Sequence, residues 1–111
     1  MADILITGIT GRIGANLAST LVQDGHSVRG MVWERDRRTE KLAGLGVELV
    51  EGTLTEAQSV DASVQGMQVI YHLGAAFQGG GPFTESDYLD INVKGTFHVL
   101  EAARKHGIEH V

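Results

Sequence analysis

Ile4-Leu5-Ile6-Thr7-Gly8-Ile9-Thr10-Gly11-Arg12-Ile13-Gly14 is the stretch that decides how this chain folds. Ile4 to Thr7 is a short β-branched run, apolar on both faces, as a strand buried inside a parallel sheet must be. Three glycines follow in a G-x-x-G-x-x-G pattern. From Arg12 to Asp24 the apolar residues Ile13, Leu17 and Leu21, widened by Ala18 and Val22, recur at the spacing of one helical face. A strand, a glycine turn and a helix in that order form the setting in which such a triplet holds a dinucleotide. Gly8 allows a sharp turn out of the strand, Gly11 lets the backbone approach a pyrophosphate, and Gly14 lets the helix pack closely on the sheet. The helix N-terminus then turns unpaired N–H groups toward the phosphates. The alternative is a glycine turn that is structural and holds no ligand.

Outward from this turn the pattern continues. Gly25 sits where the first helix would end in the left-handed conformation, and Val28 to Trp33 reads as a second strand. Glu34 to Thr39 is charged and loop-like, with a short helix over Thr39 to Leu45. Gly46 opens a third strand, Val47 to Val50. Thr55 is placed to cap a helix reaching about Gln65, which Gly66 ends. Val69 to Leu73 is a fourth strand. Gln78-Gly79-Gly80-Gly81-Pro82 reads as a loop. A long helix follows from about Thr84 to Lys105, with Leu89, Val93, Phe97 and Leu100 expected on its inner face and Gly107 at its end. Ile108 to Val111 begins like a fifth strand. Strands alternating with helices predict an α/β fold, a Rossmann-type doubly wound parallel sheet with strand order 3-2-1-4 and at most a stub of strand 5. Residues 1–111 read as one domain without repeat or linker.

Composition narrows the function classes. The 111 residues are 42% hydrophobic and 21% charged, with a net charge of −5, an ordinary globular balance without a basic stripe for nucleic-acid phosphates. There is no cysteine, which removes disulfides and thiolate metal sites. His26, His72, His98, His106 and His110 show no ligand spacing, so no metal is expected. Met1-Ala2-Asp3 runs directly into the first strand, leaving no room for a signal peptide, and no apolar run approaches the ~20 residues of a membrane span. A cytoplasmic location is the expectation.

The chain resembles the extended short-chain dehydrogenase/reductase family, which includes nucleotide-sugar epimerases and dehydratases and reductases similar to dihydroflavonol reductase. The resemblance rests on Thr7 to Gly14, on Gly25-His26-Ser27-Val28-Arg29 entering the second strand, and on Val50-Glu51-Gly52-Thr53-Leu54 leaving the third. Tyr71-His72-Leu73-Gly74-Ala75-Ala76 follows the fourth, and Asn92-Val93-Lys94-Gly95-Thr96 with Val99-Leu100-Glu101-Ala102-Ala103 matches the helix after it. Five motifs in order cover essentially the whole chain. They imply an NAD or NADP platform formed by Gly8, Thr10, Gly11, Arg12, Ile13, Gly14, Thr53, Leu54, Leu73, Gly74, Ala75, Ala76 and Asn92, and no catalytic residue. The family commonly has Asp where Thr53 stands and alanine where Gly74 stands. Its general acid/base is the tyrosine of a Tyr-x-x-x-Lys pair. Here Tyr71 is followed four residues later by Ala75 and Tyr88 by Asn92, so the pair is absent and the chain alone is expected to bind without turnover.

Cofactor choice turns on the end of the second strand, where a carboxylate favours NAD and an arginine accommodates the extra phosphate of NADP. The family's usual acidic position falls on Val32, followed by Trp33, Glu34, Arg35, Arg37 and Arg38. Arg12 and Arg35 lean the reading toward NADP, although the arginines also read as a solvated charged loop. Trp33 either covers an adenine face or caps the sheet edge. Two functions remain: the cofactor half of an epimerase/dehydratase or carbonyl reductase acting on a sugar nucleotide or small carbonyl compound, or a stand-alone nucleotide-binding regulatory or self-associating module. An open edge on the fourth strand and the apolar side of the last helix predict a homo-oligomer.

Overall fold

The computed structural model describes residues 1–76 and 81–111. Four strands form one parallel sheet: β1 (Asp3–Thr7), β2 (Ser27–Val32), β3 (Glu48–Glu51) and β4 (Val69–His72), in the order β3-β2-β1-β4. Three helices connect them: α1 (Arg12–Gln23), α2 (Arg37–Gly44) and α3 (Ala57–Val64). Ile4 pairs with Val28 on one side and Val69 on the other, which fixes β1 at the centre. Residues 78–80 of the expected glycine loop lie outside the described residues.

Alternation along β1 sends its side chains to two cores. Ile4 and Ile6 join Ile9, Ala18 of α1, Val28, Val32, Leu42 of α2 and Val47 on one face. Leu5 joins Met31, Ile70, Leu54, Val60 and Val64 of α3 and three residues of the last helix on the other. Leu5, Ile6, Ile9 and Ile70 are almost wholly buried, and each such side chain contributes about 1.5–3 kcal/mol of transfer free energy. Gly30 is glycine because Ile9 lies over it: a Cβ there would come 2.6 Å from the Ile9 Cδ1.

Three local expectations need correction. Ile13, placed on the inner face of α1, is 73% exposed, because Gly14 and Ala18 carry the helix against the sheet. The short helix starts two residues before Thr39, because the Asp36 carboxylate accepts from the N–H groups of Arg38 and Thr39 while the Thr39 hydroxyl accepts from the Asp36 N–H. This reciprocal cap is worth ~1 kcal/mol. Thr55 does not cap α3. Glu56 precedes the helix without a side-chain bond, and the Thr55 hydroxyl pairs instead with that of Thr53 at 3.0 Å.

The long C-terminal helix is present but composite: α4 (Glu85–Tyr88), a π-helical segment (Leu89–Lys94) and α5 (Gly95–His106). Its expected inner face is its outer one. Leu89, Val93, Phe97 and Leu100 are all more than half exposed, and the buried positions are Gly95, Val99, Ala102 and Ala103. Small residues win the inside because the helix lies close to its neighbours: a Cβ on Gly95 would sit 2.8 Å from the Leu54 Cβ. Beyond the left-handed Gly107, the expected fifth strand is a single parallel bridge of His110 to Val69, with the Ile70 N–H donating to the His110 carbonyl.

Candidate functional site

The carboxyl ends of the strands open onto a cleft of about 590 Å3, a size suited to a small-molecule ligand. It lies where the strand order reverses between β1 and β4, the place at which open α/β sheets bind ligands. Gly8 and Thr10 supply one wall; Met31, Val32, Trp33, Glu34 and Arg38 another; Gly52 to Glu56 a third; and Ala75, Phe83 and Ile91 close it.

The glycine turn is shaped by its own backbone. Gly8 has φ +69 and lies so close to the strand-4 loop that a Cβ would come 2.7 Å from the Gly74 nitrogen. A Cβ on Gly14 would collide with the Gly8 carbonyl. Gly11 differs. The single atom near its Cβ position is the Gly8 oxygen, at 3.3 Å, a tight contact that a shift of a few tenths of an ångström would relieve, so the fold requires glycine less strictly there than at Gly8 or Gly14. Gly11 is also the N-cap of α1, with no side-chain bond and no acidic residue in the first turn, whereas α2 and α4 carry Asp36 and Thr84 as caps. A bare helix start behind a cradle that a Cβ would fill fits a pyrophosphate.

The loop after β4 is tied down by a chain of hydrogen bonds. The Gly74 N–H donates to the Thr7 hydroxyl at 3.0 Å, and that hydroxyl lies 2.7 Å from His72 Nδ1. His72 Nε2 lies 3.0 Å from the Thr96 hydroxyl, which donates to the Asn92 carbonyl at 2.7 Å. The Asn92 amide grips Ala76 twice, accepting from its N–H at 2.8 Å and donating to its carbonyl at 2.9 Å. Burial lowers the His72 pKa below the usual histidine value, because an imidazolium there would lose hydration.

Of the residues singled out from sequence, the cleft gathers Gly8, Thr10, Trp33, Thr53, Leu54 and Ala75. Gly11 and Gly14 shape the turn beside it; Gly74, Ala76 and Asn92 brace the opposite loop. Arg12 and Ile13 are exposed at the start of α1, and Leu73 is 38% exposed. Arg35 is not on the cleft: its guanidinium reaches the Glu51 carboxylate and the Leu49 carbonyl along β3. Arg38 lines the cleft instead, held by Asp36 at 2.9 Å. Arg38 bonding pulls the Asp36 carboxyl below its usual range, and Asp36 raises the Arg38 pKa in return. Sequence reading passed over Arg38 as a site residue, along with Met31, Phe83 and Ile91. The signal for Arg38 was Asp36-x-x-Thr39, a cap that turns the second helical residue back toward the strand ends.

Residues 4–111 match the profile of the NAD dependent epimerase/dehydratase family. The chain is 35% identical over 107 residues to sterol demethylase protein B of Methylococcus capsulatus, covering 96% of this chain and 32% of that protein. It is 34% identical over 115 residues to a 3 beta-hydroxysteroid dehydrogenase/Delta 5-->4-isomerase of Mycobacterium tuberculosis, covering 98% of this chain and 30% of the relative. Among solved structures, a variant of uronate dehydrogenase from Agrobacterium tumefaciens complexed with NAD superposes with a TM-score of 0.78 at 30% identity, over 96% of this chain and 38% of that one. The chain thus spans about a third of the length of the curated relatives it matches.

Proposed function

The chain belongs to the NAD-dependent epimerase/dehydratase family, and we propose from that premise that it is the nucleotide-holding part of an oxidoreductase or epimerase. The observation that carries the reading is the Gly11 position, where a Cβ would meet one atom of the chain, the Gly8 oxygen at 3.3 Å, and would take the space that a phosphate needs. The α1 N-terminus and the backbone of Gly8, Thr10, Gly11, Arg12, Ile13 and Gly14 would hold the pyrophosphate. Trp33, Thr53 and Leu54 would flank the adenosine, and Leu73 to Ala76, braced by Asn92, the nicotinamide side. A bound nicotinamide supplies a hydride acceptor or donor; the residues here bind, orient and screen it.

Val32 takes the position at the end of β2 where a carboxylate would meet the ribose hydroxyls, with Glu34 two residues on in the same wall, and Arg38, paired with Asp36, brings a guanidinium to the cleft. Both support a lean to NADP, with Arg38 rather than Arg35 as the partner of the extra phosphate and Arg12 a second cation near the turn. The substrate class is a hydroxyl or carbonyl compound, a sugar nucleotide or a small ketone. The 111 residues contain no Tyr-x-x-x-Lys, which supports binding without turnover by this chain alone. Among the described residues no helix is long and apolar enough to cross a membrane. The exposed row of Leu89, Val93, Phe97 and Leu100 favours self-association as well.

Gly11→Ala tests the reading. The variant is expected to melt close to the unmodified protein, yet to lose the thermal protection given by NAD+ or NADP+ and the accompanying change in Trp33 fluorescence. An undiminished ligand response in Gly11→Ala takes the glycine turn out of the site.

A further inference from the structure

The hydrogen bonds around His72 admit one arrangement of protons. The Thr7 hydroxyl accepts from the Gly74 N–H, and its hydrogen finds its acceptor in His72 Nδ1. The Thr96 hydroxyl already donates to the Asn92 carbonyl, which leaves its lone pair to accept from His72 Nε2–H. Every donor then has an acceptor, with the imidazole neutral and its proton on Nε2. A second proton on Nδ1 would face the Thr7 hydroxyl and turn its hydrogen away. Thr7 is 1% exposed, so no water replaces the lost acceptor. The Thr7 oxygen still holds the Gly74 N–H through its other lone pair, but its buried hydrogen is left without an acceptor, a cost relieved by parting this junction, where the Gly74 nitrogen packs directly against Gly8 and Ala75 of the cleft wall is next in the chain.

We propose that His72 is a positioning residue for the nucleotide cleft: as a neutral imidazole it locks the Gly74–Ala76 loop against the glycine turn, and proton uptake releases that lock and weakens nucleotide binding. This rests on the nucleotide reading above. Charged groups on the surrounding elements are engaged elsewhere: Asp90 with Lys94 on the π-helical segment, and Glu101 with Arg104 on α5. Asp3 of β1 lies at the far end of the sheet, its backbone N–H bonded to Gln68. Lys105 and His106 pair with Asp61. His98 also touches the site, through Nδ1 to the Leu54 carbonyl at 2.7 Å, but a carbonyl can only accept, so protonation leaves that bond intact.

The test is NAD+ affinity by Trp33 fluorescence across about pH 8 to 5.5. NAD+ is the probe because the extra phosphate of NADP titrates near pH 6 and would confuse the slope. Affinity is expected to fall about three- to tenfold as pH drops through the histidine range, the limit for one linked proton being about tenfold per unit. Thr96→Val should weaken binding severalfold at pH 8, Thr96→Ser should restore it, and His98→Asn should keep the pH slope. Thermal melts establish that each variant is folded. Nitrogen-15 spectra of the imidazoles should show His72 as the Nε2–H tautomer in the free protein. NAD+ binding without a pH slope, an Nδ1–H tautomer, or equal binding by Thr96→Val and Thr96→Ser overturns the role of His72 and leaves the nucleotide reading standing. No NAD+ binding at any pH overturns both.

Discussion

The turn from β1 into α1 and the helical run from Glu85 to His106 sit on the same sheet but are held in opposite ways. In the turn, backbone meets backbone: neither Gly8 nor Gly14 can carry a Cβ without striking main-chain atoms. In the helical run, a narrow stripe of Gly95, Val99, Ala102 and Ala103 faces inward while Leu89, Val93, Phe97 and Leu100 face out. The first region is constrained by contacts that lie wholly within the chain. The second keeps its largest apolar surface unspent within it. A mutation in the turn therefore tests the fold, and one on the outer stripe tests what the fold presents.

The largest effect is expected at Gly14. Gly14→Val forces a branched side chain into the Gly8 carbonyl, and overpacking of this kind costs about 1–3 kcal/mol or more. A drop of many degrees in the melting midpoint checks it; a melt unchanged from the parent would mean that the turn is not tight.

Acid should separate the two regions next. The folded state holds His72 below its ordinary value of 6.5 through burial. Between that lowered value and 6.5 the unfolded chain binds more protons, so this contribution is complete above about 6.5 and is lost as pH falls below it. On the helices, hydrogen bonding holds down Asp61 through His106, Glu101 through Arg104 and Asp36 through Arg38. Those contributions are lost only as pH falls through the carboxylate range, below about 4. Melting midpoints across pH should thus show an early decline that His72→Asn flattens and a later one that it does not. A single decline confined to the carboxylate range removes the first step.

The smallest change in stability is expected on the outer stripe. Phe97→Ser with Leu100→Ser should alter the melt of the dilute chain by about 0.5 kcal/mol or less per site, as exposed positions do. The same pair should shift sedimentation toward monomer if the stripe covers a second copy. Identical sedimentation of parent and variant at all concentrations would leave the stripe without that role.

The strand order, the four strands and the glycine turn were legible because short-range rules govern them: β-branched runs, glycine spacing and the handedness of crossovers. The orientation of the last helix was not. Periodicity shows that Leu89, Val93, Phe97 and Leu100 share a face; it does not show which way that face points, and close packing gave the inside to smaller residues. The site divided along the same line. Of the turn and the loop after β4, motif alone names Gly8, Thr10 and Ala75, which line the cleft. Sequence favours Arg35 where the structure puts Arg38 on the cleft, because their directions depend on the cap at Asp36 and on the Glu51 carboxylate of β3.

The sheet also carries a timetable. β2 meets β1, and β3 meets β2, across about two dozen residues or fewer, whereas Ile4 finds Val69 only after 65 residues of chain. Loop-closure entropy grows with the logarithm of that distance, so in an otherwise open chain pairing β4 with β1 costs about 0.9 kcal/mol more than pairing β2 with it. The three-strand half can therefore nucleate first, with the glycine turn already at its edge. The Thr7–His72 bond and the wall formed by Ala75 come into being only with the last strand. Assembly of the cleft thus coincides with the strand pairing of greatest sequence separation in the sheet, and a chain caught before that step would have the turn without the pocket.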